Sequence, residues 1–188
     1  MRSLFLLGFL MKIHKNLRTA FAAIAILWLV YFLNLILAID LRMYGIVPRD
    51  IDGLTGILAA PFLHADIQHL TANTGVLFIL LVVSLSHSRA QTIKAVLTIV
   101  FLGGGMVWLL GMGGTIHIGA SGIIFGLIGY LMCLGLFRRD WKTVMISVTI
   151  FFLYGGALYT LLIYIPGISW SGHLFGFLSG IVAAWWVR

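Results

Sequence analysis

Continuous apolar stretches of about twenty residues leave a chain of this kind few ways to fold. Between its polar breaks the sequence holds six of them, at about residues 20–39, 67–86, 95–111, 120–137, 143–162 and 170–187. A helix needs about 20 apolar residues to cross a hydrocarbon core. With 62% hydrophobic and 9% charged residues, the chain has too little polar surface to cover a water-soluble globule. The sequence therefore predicts an all-α integral membrane protein, a six-helix transmembrane bundle in contact with the lipid bilayer. Apolar residues come in runs rather than at every second position, which argues against an outer-membrane barrel.

The flanks of these runs predict the topology. Residues 4–11 are apolar but too short to span, and Lys12, His14, Lys15 and Arg18 follow without a small-residue cleavage site. Residues 1–19 are thus expected to form a cytoplasmic segment lying at the interface, and residues 20–188 the membrane domain. Residues 40–61 mix Asp40, Arg42, Arg49, Asp50 and Asp52 with Gly45, Pro48, Gly53 and Gly56, the composition of an ordered external loop. Arg2, Lys12, Lys15, Arg18, Arg89, Lys94, Arg138, Arg139, Lys142 and Arg188 fall on one side of the predicted spans, against Arg42 and Arg49 on the other. This bias predicts cytoplasmic termini. It also assigns the net charge of +7 to orientation, with no nucleic-acid partner expected. Cys133 is the only cysteine and the acids between Asp40 and Asp66 are scattered, so neither a disulfide framework nor a metal site is expected.

Against this background a few polar residues stand out. Gly119-Ala120-Ser121-Gly122 sets a hydroxyl between glycines at the head of the fourth span. Such a serine has two readings: small residues that let helices approach, or a nucleophile with room for a substrate backbone. His69 and Asn73 lie four apart on the second span, sharing a helix face, and are either interhelical hydrogen-bond glue or a polar site. His173 begins the sixth span within a Gly172, Gly176, Gly180 pattern that permits close approach of a neighbour, for which the fourth span offers Gly122, Gly126 and Gly129. His117, four residues before Ser121, is a rival base for that serine, and His64 reads as a loop buttress. The three even-numbered spans enter from the same side, so these groups share one membrane face.

Three separated segments resemble the rhomboid intramembrane serine proteases. His64-Ala65-Asp66-Ile67-Gln68-His69-Leu70-Thr71-Ala72-Asn73 is similar to the family's H-x(4)-H-x(3)-N segment, Gly119-Ala120-Ser121-Gly122 to its G-x-S-G, and Gly172-His173 with Gly176 to its last-helix histidine motif. The Trp-Arg pair that many bacterial members carry in the first external loop is missing from residues 53–60.

The resemblance implies a rhomboid-like serine endopeptidase that cleaves transmembrane protein substrates with a Ser-His dyad and no cofactor. Ser121 would be the nucleophile and His173 the base. His69, Asn73 and the Ser121 backbone N–H would stabilise the oxyanion. Gly119, Gly122, Gly172 and Gly176 would support the site, and Phe125 would pack on the imidazole. Substrates would enter past the fifth span and residues 163–169, with Gly155-Gly156 and Pro166-Gly167 as flexible points. Lacking an acid partner, the dyad histidine is expected to be neutral near pH 7, with activity falling as it protonates. A rhombosortase-like subtype, a rhomboid-like protein that binds clients without cutting them, and a small channel or transporter are the alternatives. Short loops and cytoplasmic termini fit a bacterial inner membrane.

Overall fold

A computed structural model describes residues 2–163 and 167–188, apart from the side chains of residues 2–6 and 9. Six helical bodies account for most of it: α1 (Arg2–Ile36), α2 (Ile67–His87), α3 (Arg89–Leu110), α4 (Ser121–Arg138), α5 (Trp141–Leu161) and α6 (Trp170–Val187). The first five contain stretches long and apolar enough to cross a membrane. The sixth has 18 residues, but serines, glycines and His173 dilute its apolar content. Those small and polar residues face other helices: Ser171, His173, Gly176, Ser179, Gly180, Ala183 and Ala184 are all buried. The architecture is thus an all-α membrane bundle.

Helix ends follow local capping chemistry more closely than hydropathy. α1 is unbroken from Arg2 to Ile36, so residues 2–19 continue the helix of the first span. At 1.5 Å per residue it is about 52 Å long, well over a bilayer's hydrocarbon thickness. It stops short of residue 39 because the Asn34 side chain accepts a hydrogen bond from Leu41 N–H (2.6 Å) and Asp40 caps the following 3-10 turn. α3 begins at Arg89, six residues ahead of its apolar run, because Ser88 caps it. Asp66, Asp140 and Ser169 cap α2, α5 and α6 in the same manner.

The core is built around α4, whose buried residues run from Ile124 through Leu131 without a gap. Its main partner is α6, and the two meet backbone to backbone. A Cβ at Gly176 would collide with the carbonyl of Gly122, and one at Gly180 with that of Gly126. Glycine is therefore required on this seam. In α3, Ile99–Gly103 form a π-helical turn. There Gly103 lies against Ser179 and Phe175, so this glycine serves a close contact with α6.

The segment between α1 and α2 is ordered, as its composition predicts. Ile46 exchanges backbone hydrogen bonds with His117, 2.9 Å each way. Arg49 takes a left-handed conformation (φ 62°) and donates from its backbone to Trp108 O (2.8 Å) and from its side chain to Gly111 O (2.9 Å). Trp108 returns a bond from its indole N–H to Asp50 O (2.7 Å). These bonds dock the loop on the end of α3 and on the segment that precedes α4.

At its far end α5 changes character. Its α-helix stops at Tyr154, and Gly155–Leu161 continue as a 3-10 helix, so the helix type changes at the expected Gly155-Gly156 point. Gly167 adopts φ 82°. Pro166, the other half of the second expected flexible point, lies outside the described residues, as do residues 164 and 165 of the expected gate.

Candidate active site

The starts of α2, α4 and α6 lie around one cleft of about 770 Å³ lined by His69, Asn73, Ser121, Phe125 and His173 among others. Tyr154 and Ala157 from α5, Ile168 and Ser169 from the following segment and Trp170 from the start of α6 line it as well. Each polar side chain is held there by a specific local device.

On α2, the Asp66 carboxylate accepts from His69 N–H (2.8 Å) and fixes the first turn. Asn73 is anchored by His64, whose Nε2 lies 3.1 Å from Asn73 Nδ2. An amide carries two N–H donors, so this bond orients the group and leaves one donor for a ligand. His64 also meets His69 edge to face, with ring centroids 5.1 Å apart. Burial, reinforced by the neighbouring His69, pushes the His64 pKa down to about 4, so the ring is neutral at pH 7 and can accept the Asn73 hydrogen bond.

On α4, Ser121 is the first helical residue, and no side chain caps the helix before it. Among the described residues, the first-turn N–H groups, which have no intrahelical acceptor, are thus left without a capping side chain. Gly119 reaches this point with φ 111°, and a Cβ there would lie 2.6 Å from His69 Cε1 and 2.7 Å from Nε2. Both the left-handed backbone and the close imidazole demand glycine. Gly122 faces the carbonyl of Gly172.

On α6, His173 is buried and its ring stacks on Phe125, centroids 4.0 Å apart at 16°. Its Nδ1 lies 3.4 Å from Thr160 Oγ1. The Thr160 hydroxyl donates to Ala157 O (2.8 Å), so it accepts from Nδ1–H. Nε2 is then the unprotonated, basic nitrogen. No hydrogen bond joins Ser121 Oγ to His173 among the described residues. His117, the rival base, has both nitrogens engaged, Nδ1 with Ser169 Oγ (2.7 Å) and Nε2 with Thr115 Oγ1 (3.1 Å).

The structure adds Asp66, Thr160 and Ser169 to the residues the sequence singles out, and it gives His64 a partner in the site. Asp66 and Ser169 are legible as helix caps. The reach of Thr160 has no sequence signal.

This arrangement defines a polytopic helical membrane protein with a polar cleft built from the ends of three separate helices. The chain belongs to the rhomboid family: the family's domain model, described as "Rhomboid domain", matches residues 51–188. The chain is also 38% identical over 175 residues to an uncharacterized protein of Mycobacterium tuberculosis, an alignment spanning 89% of this chain and 73% of that one. An uncharacterized protein of Mycobacterium leprae is 39% identical over 178 residues, spanning 89% and 69%. No solved structure matches the chain significantly.

Proposed function

We propose that the protein is an intramembrane serine endopeptidase of a bacterial inner membrane, with cytoplasmic termini, that cleaves membrane-spanning protein substrates. The observation that carries this reading is the convergence of Ser121, His173, His69 and Asn73, from three helices, on one cleft. Ser121 Oγ attacks the scissile carbonyl while His173 Nε2 takes its proton and later returns it to the leaving amine. The developing oxyanion is met by donors from His69, Asn73 and the uncapped start of α4. Phe125 and Thr160 hold the imidazole, one through its face and the other through Nδ1–H. Substrate reaches the cleft past the 3-10 end of α5 and the segment leading into α6, the wall that carries Tyr154, Ala157 and Ile168.

The test is cleavage of a panel of model transmembrane substrates by purified, reconstituted protein, with fluorophosphonate labelling in parallel. Ser121→Ala and His173→Ala are expected to abolish both cleavage and labelling, and His117→Ala to retain measurable cleavage and labelling at a reduced rate. A wild-type protein that neither cuts nor labels would favour a rhomboid-like protein that binds clients without cutting them.

A further inference from the structure

The glycine seam locks α4 to α6 along their length, and at the level where both helices begin, residues 115–119 and 167–169 are non-helical. Among the described residues, a side-chain hydrogen bond between His117 and Ser169 joins these two segments. His117 is 7% exposed and is fixed on one side by its backbone pairing with Ile46. The Thr115 hydroxyl donates to Met112 O (2.7 Å), so it accepts from His117 Nε2–H. That leaves Nδ1 as the acceptor, and Ser169 Oγ–H is the donor, at 2.7 Å across 52 residues of sequence. Ser169 Oγ in turn accepts the N–H of Gly172 (3.1 Å), and Ser169 O accepts that of His173 (3.0 Å). One line of hydrogen bonds therefore runs from the residue beside the imidazole, through Ser169 and His117, to the segment that delivers Ser121.

We propose that His117 is a positioning residue: by accepting the Ser169 hydroxyl it fixes the first turn of α6 against the Ser121 segment and sets the register of hydroxyl and imidazole. The proposal rests on the protease reading. Capping of α6 requires only the Ser169 hydroxyl; the partner on His117 joins that cap to the nucleophile's own loop. Burial lowers the proton affinity of the ring, in keeping with an acceptor at Nδ1. An ångström-scale misplacement of reacting groups costs up to about 100-fold in rate, so a tie of this kind acts on turnover rather than on substrate binding.

The experiment is a double-mutant cycle in reconstituted protein, reading kcat, KM and thermal unfolding for His117→Leu, Ser169→Ala and the pair. His117→Asn, which keeps an acceptor near the Nδ1 position, and Ser169→Thr, which keeps the hydroxyl, serve as rescue variants. The expected result is a fall in kcat of roughly 10- to 100-fold in each single variant with KM unchanged. The double variant is expected to be no slower than the slower single, and both rescue variants to recover most of the rate. An active wild type with undiminished kcat in a folded His117→Leu, or losses that multiply in the double variant, would overturn the positioning role alone. A wild type without cleavage or labelling would overturn the protease reading itself. If His117→Leu does not fold, Ser169→Ala against Ser169→Thr decides, a full-rate Ser169→Ala counting against the proposal.

Discussion

The phenyl ring of Phe125 lies parallel to the imidazole of His173, 4.0 Å away, with Phe125 itself 6% exposed. The stack joins α4 to α6 one turn along from Ser121 and restrains rotation of the imidazole. Phe125→Ala is expected to lower kcat about tenfold while leaving KM for a transmembrane substrate nearly unchanged, since the imidazole loses orientation rather than contact with substrate. Steady-state cleavage kinetics measure the split; an equal rise in KM would count against the orienting role.

Gly119→Ala strains the backbone, because φ 111° is rarely adopted by residues with a Cβ, and drives that Cβ into the His69 ring. The expected outcome is a loss of cleavage of about 100-fold or more, the scale of losing an oxyanion donor, with fluorophosphonate labelling slowed in parallel. Cleavage kept within twofold of wild type would show that His69 has room to move without cost.

Thr160→Val keeps the shape and removes the acceptor at His173 Nδ1. The imidazole then loses the group that selects its tautomer, and kcat should fall roughly tenfold, with Thr160→Ser restoring it. Because the observed separation is 3.4 Å, a small effect on the thermal midpoint is expected alongside the kinetic one.

His64 links pH to stability. Its folded-state pKa, depressed to about 4 by burial and by His69, lies below an ordinary histidine value near 6.5. Above about pH 6.5 the ring is neutral whether the chain is folded or unfolded, and the stabilisation is complete. As pH falls from there toward 4 the unfolded chain takes up the proton first, and about 3 kcal/mol is withdrawn from the native state. The thermal midpoint in detergent should therefore drop between pH 6.5 and 4, and the drop should shrink in His64→Gln, compared at matched ionic strength.

Gly180→Leu forces a side chain into the Gly126 carbonyl and should unfold the protein or shift its midpoint by several degrees. Gly105→Leu, in a glycine with open space around its missing Cβ, should not. Parallel thermal melts check the pair.

The spans were legible because about twenty apolar residues in a row admit one structure, and the seam because glycine every fourth residue on α6 answers glycines on α4. The ends were less so. Lys12, Lys15 and Arg18 interrupt the hydropathy of the N-terminal region but are good helix formers, so charge marked a boundary where the backbone has none. Caps shifted the starts of α3 and α5 into polar sequence, since Ser88 and Asp140 satisfy N–H groups whatever the hydropathy that follows. The polar residues of the cleft stand out as polar groups at the heads of apolar spans, and the resemblance of their three segments to one family singles them out. The contacts that steady them, His64 on Asn73, Thr160 on His173 and Ser169 on His117, join residues 9, 13 and 52 positions apart, and the last two cross between elements that no local pattern relates.

The main-chain contact between α4 and α6 separates what is fixed in this molecule from what is free to change. Ser121 and His173 ride on two helices whose closest approaches, at Gly176 on Gly122 and Gly180 on Gly126, are set by main-chain atoms. α5, by contrast, leaves most of its surface uncovered by the rest of the bundle: an 11% buried stretch beside the 56% of α4. Under the proposed function, what is admitted to the cleft would be decided on that outer helix and the chemistry on the inner pair, so the two would be open to selection on separate parts of the chain.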